Sequence, residues 1–203
     1  MILIRNEKML TFKNFNIADW FSFYRIITAP FLLALLWFGE RQIFVWFLLI
    51  SYSTDMIDGF LARKLKITSA RGSQLDSMGD QITFVIGLIG LLLFEYNFIK
   101  ENYLLIIIVF APYGIQMLIA YTKYGKATAF HTYLAKLSAF AQGIFILSAL
   151  FFHPLYGLFY TMLIFGVLET IEEIILIFMY DNWASDIKGV YWALRDKRRQ
   201  KKH

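Results

Sequence analysis

With 203 residues the chain is long enough for one domain, but 59% of it is hydrophobic, 19% aromatic and only 17% charged, which is too apolar for a surface facing water. An integral membrane protein without a separate soluble domain is expected, because apolar stretches near the roughly 20 residues that span a bilayer recur along almost its whole length. The net charge of +5 does not point to nucleic acid, and the absence of cysteine excludes thiolate metal sites, disulfides and cysteine nucleophiles.

Taken in chain order, the N-terminus "MILIRNEKMLTFKNFNIADW" is basic and mixed, without an apolar core followed by a small-residue cleavage site, so it reads as retained. The segment 11–25 mixes aromatics with Lys13, Asp19 and Arg25, which suits an amphipathic helix lying at the membrane interface, placed at about residues 6–20. Six membrane spans follow, near 21–38, 43–63, 73–94, 102–121, 132–152 and 155–180. The link 96–101 is short and polar, "FHPLYG" supplies a proline turn between the fifth and sixth spans, and a basic tail occupies about 181–203. The fold class is therefore all-α, a single membrane domain over residues 1–203 built as one helical bundle, with no internal repeat or flexible linker.

Charge placement sets the topology. Arg5, Lys8 and Lys13, the loop residues Lys64, Lys66 and Arg71, then Lys123 and Lys126, and the tail "RDKRRQKKH" all fall on one side of the six spans, with only Arg41 and Lys100 on the other. By the positive-inside rule both termini face the cytoplasm. The six basic residues of the tail, directly after a span, suit anionic lipid headgroups.

Residues 55–80, "DMIDGFLARKLKITSARGSQLDSMGD", carry the chemistry. Asp55 and Asp58 are three apart and Asp76 and Asp80 four apart, so each pair projects from one face of its own helix. The short basic connection around 64–72 makes the second and third spans antiparallel neighbours and brings both pairs to the cytoplasmic end. Four converging carboxylates repel, and two hard divalent cations such as Mg²⁺ or Mn²⁺ would balance them, since these ions prefer carboxylate oxygens. Such an ion pair commonly activates a nucleophile and stabilises a phosphate leaving group. Gly59, Ala62 and Gly72 remove bulk beside the acids, so that a ligand can approach the helix backbone, and Arg63 supplies charge suited to phosphate oxygens.

Asp55, Asp58-Gly59, Ala62-Arg63, Gly72, Asp76 and Asp80 match, at every spacing, the pattern D-x-x-D-G-x-x-A-R-x(8)-G-x-x-x-D-x-x-x-D, eight specified positions within 26 residues. In this the chain resembles the CDP-alcohol phosphatidyltransferase family, which also places the motif across the second and third of six spans. The resemblance implies transfer of a phosphatidyl group from CDP-diacylglycerol to an alcohol, with release of CMP, in phospholipid biosynthesis. It implies that Asp55, Asp58 and Asp76 hold two metal ions, that Asp80 is both a metal ligand and the base, and that Gly59, Ala62, Arg63 and Gly72 accommodate the cytidine nucleotide. A homodimer is implied on the same ground. Glycerol 3-phosphate is the leading acceptor by frequency in the family, followed by serine and inositol or its phosphate.

Other polar residues have plainer readings. Lys136 lies within an apolar segment, where an ammonium needs a specific partner, and is a candidate contact for the acceptor's phosphate or carboxylate. His131 reads as an interfacial histidine. Glu169, Glu172 and Glu173 in "GVLETIEEIILIF" can share a face, and pairing with Arg25 or Lys136 is their expected structural role. Asn16 and Arg25 resemble the family's N-terminal "N…R" pattern. An ion-coupled transporter would place its acids near the midplane between broken, repeated segments, and neither feature is found in the sequence. An intramembrane prenyltransferase would carry its aspartate motifs on well-separated helices and leave the Gly-Ala-Arg spacing unexplained.

Overall fold

The structure is a computed structural model that describes the backbone of residues 17–65, 70–128, 130–185 and 187–200, and the side chains within these ranges except 17–19, 55–56, 58–65, 70–77 and 197–200. Every described element is an α-helix: α1 (Ile17–Phe38), α2 (Arg41–Leu65), α3 (Ala70–Phe94), α4 (Tyr96–Tyr124), α5 (Tyr133–Phe151), α6 (Tyr156–Met179) and α7 (Val190–Gln200). The chain packs as two compact units that divide between Phe94 and Glu95.

In the first unit α1 packs against both α2 and α3, and these two pack against each other. Leu32, Leu35 and Leu36 of α1, Phe44, Val45 and Leu48 of α2, and Ile86 and Leu91 of α3 are its buried apolar residues. The crossing is tight at Gly90, where a Cβ would stand 2.5 Å from Phe44 Cε1, so any side chain there would drive the α2 ring out of its place. Arg41 at the start of α2 sits with its guanidinium 5.8 Å from the Phe94 ring.

In the second unit α6 packs against α4 and α5, and α7 against α6. Phe98 meets Phe145, Tyr156 and Phe159 at ring separations of 6.0, 5.5 and 5.0 Å. That packing explains a departure from the sequence reading. Residues 96–101, expected as a polar link, are the opening turns of α4, because Phe98 is drawn into the apolar cluster and Asn102 satisfies its amide internally on the Phe98 carbonyl at 2.9 Å. At its other end α4 stops at Gly125, which takes the left-handed conformation (φ 70°) and donates its N–H to the Tyr121 carbonyl.

Among the described residues three helices are long and apolar enough to cross a bilayer, Trp20–Phe38, Tyr96–Tyr124 and Tyr133–Phe151, while the apolar stretch Met78–Phe94 is shorter. Large apolar side chains on these helices face outward, among them Trp37 at 87% exposure, which suits lipid and not water. Of the expected interfacial helix, residues 6–16 lie outside the described residues, and Ile17–Arg25 forms the start of α1 itself. The tail expected from 181 onward contains α7, which forms because Ala193 packs into a cluster with Ala120, Phe130, Leu176 and Ile177.

Candidate functional site

The motif lies on the facing ends of α2 and α3. Spacings of three and four residues put Asp55, Asp58, Gly59 and Ala62 on one side of α2, and Gly72, Asp76 and Asp80 on one side of α3. Only residues 66–69 separate the two helices, and they pack together, so both loaded ends meet at that link. The side chains of Asp55, Asp58, Arg63 and Asp76 lie outside the described residues. Those of Lys64, Arg71 and Ala62 do too.

Asp80 is described, and it reveals a third helix at the site. Arg25 of α1, 99% buried, donates from Nη1 to Asp80 Oδ1, while the Asp80 side chain stays 45% exposed. The neighbouring glycine makes room for this pair. A Cβ at Gly79 would stand 3.1 Å from Arg25 Nε and 3.4 Å from the Ser22 carbonyl, so α3 can approach the guanidinium only without a side chain at that position. One turn before Asp55, Ser51 Oγ is fully buried and makes no hydrogen bond among the described residues. Asp80 thus sits beside a buried cation, which a plain helix cap does not require.

Four carboxylates with hard oxygen donors fit Mg²⁺ or Mn²⁺, and among the described residues Arg25 pairs with Asp80. Among the described side chains no three acids or histidines converge, as expected where only Asp80 of the four belongs to that set.

The glutamates of α6 have local partners. Glu173 Oε2 accepts hydrogen bonds from Gln116 Nε2 at 2.6 Å and Thr128 Oγ1 at 2.7 Å, tying α6 to α4 and to the loop after it. Glu172 Oε1 accepts from the Val190 N–H at 3.2 Å, at the start of α7. Glu169 lies within hydrogen-bonding reach of Ser138. The expectation that these acids pair with Arg25 or Lys136 gives way to these contacts, and Arg25 belongs to Asp80. Lys136 is exposed one turn into α5, its Nζ 5.9 Å from the Tyr133 ring, and so is not the buried ammonium expected from its apolar context. His131 is exposed and holds the left-handed conformation (φ 54°) just before Thr132, whose hydroxyl caps α5 by accepting from the Ala135 N–H. Gln116 and Thr128 were not foreseen. No spacing links them to Glu173, and only the rule that a buried acid needs donors could have prompted a search.

The profile of the CDP-alcohol phosphatidyltransferase family matches residues 15–178. Among curated proteins, a CDP-diacylglycerol–glycerol-3-phosphate 3-phosphatidyltransferase of Wigglesworthia glossinidia brevipalpis is 38% identical over 88 residues, 40% of this chain and 45% of that protein. The protein of the same name from Yersinia enterocolitica is 31% identical over 36% of this chain and 42% of its own length. The one from Bacillus subtilis is 32% identical over 142 residues, 66% of this chain and 70% of its own length. The first two matches thus span less than half of each relative. No solved structure matches.

Proposed function

Since the chain belongs to the CDP-alcohol phosphatidyltransferase family, we propose that it transfers the phosphatidyl group of CDP-diacylglycerol to glycerol 3-phosphate and releases CMP. The observation that carries this reading is the complete eight-position motif on α2 and α3, with its last aspartate held by the buried Arg25 of α1. The choice of acceptor rests on the names of the three relatives. Serine, inositol or inositol phosphate in the same reaction is the second reading.

In the proposed mechanism Arg25 fixes the Asp80 carboxylate, and Asp80 takes the proton of the acceptor hydroxyl as its oxygen attacks the lipid-linked phosphorus. The bond from that phosphorus to the CMP oxygen breaks, and CMP departs. Asp55, Asp58, Asp76 and Asp80 would hold two Mg²⁺ or Mn²⁺ ions, whose chemistry when bound is to spread the charge on the diphosphate and improve the leaving group. Gly59, Ala62 and Gly72 leave space for the cytidine nucleotide, Arg63 supports its phosphates, and Lys136, exposed on α5, is available to the acceptor.

The family match runs through both units, which supports one membrane domain. The six long helices support six spans preceded by an interfacial segment, and the lysine and arginine distribution supports a cytoplasmic active site and termini. A homodimer completes the reading. The test is direct: purified protein in nanodiscs, given CDP-diacylglycerol and Mg²⁺, should release CMP with glycerol 3-phosphate and form the matching lipid. Release with serine or inositol alone would reassign the acceptor, and no release with any alcohol would reject the activity.

A further inference from the structure

The second unit ends in a compact arrangement that the reaction does not use. At the C-terminal end of α4, a helix of spanning length, Lys123 Nζ donates to the Ile177 carbonyl at 2.7 Å, and Tyr124 Oη donates to the Tyr180 carbonyl at 2.7 Å. The end of α6 is thereby tied to the end of a membrane-length helix, and the chain after Tyr180 emerges at that level. Trp183 Nε1 donates to the Ala127 carbonyl at 3.0 Å, and Lys126 Nζ stands 3.6 Å from the Trp183 ring. The start of α7 is clipped to α6 by Glu172, across Gly189 (φ 148°), where a Cβ would stand 2.9 Å from the Glu172 carboxylate. Tyr133 and Trp192 meet at 5.4 Å, with Tyr191 packed on Trp192 and 68% exposed. Aromatic rings and basic side chains concentrated at the end of spanning helices form the composition of a membrane–water interface.

Within this arrangement lies a cavity of about 170 Å³, walled by Tyr180, Ile187 and Trp192 and flanked by Lys188 and Arg195. Asp196 also lines it, 3.9 Å from Arg195 Nε, and Lys188 has no ion pair among the described residues. From Lys188 to Lys202 the chain carries seven basic residues against one acid, Asp196. We propose that this cavity is a docking site for an anionic phospholipid of the surrounding leaflet, with the headgroup phosphate between Lys188 and Arg195, and with Tyr191 and Leu194, both exposed, against its acyl chains. The aromatic walls select an amphiphile over a soluble anion, and the excess of positive charge selects an anionic over a zwitterionic headgroup. The site is independent of the proposed reaction.

The absence of native cysteine allows a single reporter to be placed beside the cavity. Full-length protein carrying Leu194→Cys labelled with bimane is reconstituted in phosphatidylcholine nanodiscs doped with equal fractions of doxyl-labelled phosphatidylglycerol or doxyl-labelled phosphatidylcholine. Phosphatidylglycerol should quench several-fold more strongly. The added substitutions Lys188→Gln and Arg195→Gln should reduce that preference to parity. Lys100→Gln, at the opposite end of α4, should leave it unchanged. Equal quenching by both lipids in the parent protein overturns the proposal, as does an equal loss of preference in the Lys100→Gln control. Abolition of the preference by inorganic phosphate at constant ionic strength would also overturn it, since the cavity would then belong to a soluble anion.

Discussion

The two units each carry acids in apolar helices and treat them in opposite ways. In the second unit Glu173 takes two hydrogen bonds from Gln116 and Thr128, and Glu172 caps α7, so these carboxylates are spent on joining elements of their own unit. In the first unit four aspartates gather at the meeting ends of α2 and α3 with small residues between them, and among the described residues the buried Arg25 of α1 pairs with Asp80. A carboxylate whose hydrogen bonds tie two neighbouring elements together, as those of Glu173 and of Glu172 Oε1 do, is structural. Four acids gathered at one end of two helices, with small residues between them, suit a ligand that brings positive charge, which is the role proposed for the metal ions.

Removing that ligand or its donors should have the largest effect. Chelation of divalent ions, or Asp55→Asn, Asp58→Asn or Asp76→Asn, should take CMP release to background and weaken nucleotide binding, measured in nanodiscs with added Mg²⁺. Turnover that survives chelation would make the first unit's acids no different in kind from the second's. Next, Asp80→Asn should lower turnover by about 10²- to 10⁴-fold while nucleotide affinity persists. Equal loss of affinity in Asp80→Asn and Asp58→Asn would mark Asp80 as one more ligand.

Arg25 sharpens the comparison from the other side. Arg25→Gln leaves Asp80 without its buried partner, and because Asp80 is partly exposed the cost in stability should be about 1–3 kcal/mol, with a fall in kcat larger than the change in KM. Arg25→Lys should recover part of kcat if the residue positions Asp80, and a thermal melt in detergent separates this from loss of fold. Smallest of all, Glu173→Gln keeps an acceptor oxygen and should cost about 1 kcal/mol with kcat unchanged. A large loss of turnover there would mean that the second unit's acids also serve the reaction.

Much of this was legible in the sequence. A helix lies at each of the six positions where apolar runs predicted a span, and among the described residues three of these are long and apolar enough to cross a bilayer. The aspartate motif is equally plain, since it depends on spacings within two helices. Arg25–Asp80 was not, because 55 residues separate the partners and only packing of α1 on α3 brings them together. Helix α7 was missed for a related reason. Its sequence reads as a charged tail, and its stability comes from Ala193 fitting a hollow made by α4, α6 and Phe130.

The 29 residues of α4 give a rod of about 43 Å against a hydrocarbon layer of about 30 Å. Such a helix exceeds the layer, and its surplus is absorbed by leaning or by protruding. The bonds from Lys123 and Tyr124 to the end of α6 pin one extremity, so the adjustment falls on the other, where Lys100 and Glu101 tolerate water. Thickening or thinning of the bilayer should therefore load the Phe98 contacts with α5 and α6 before the bonds of Lys123 and Tyr124, leaving the docking of α7 undisturbed.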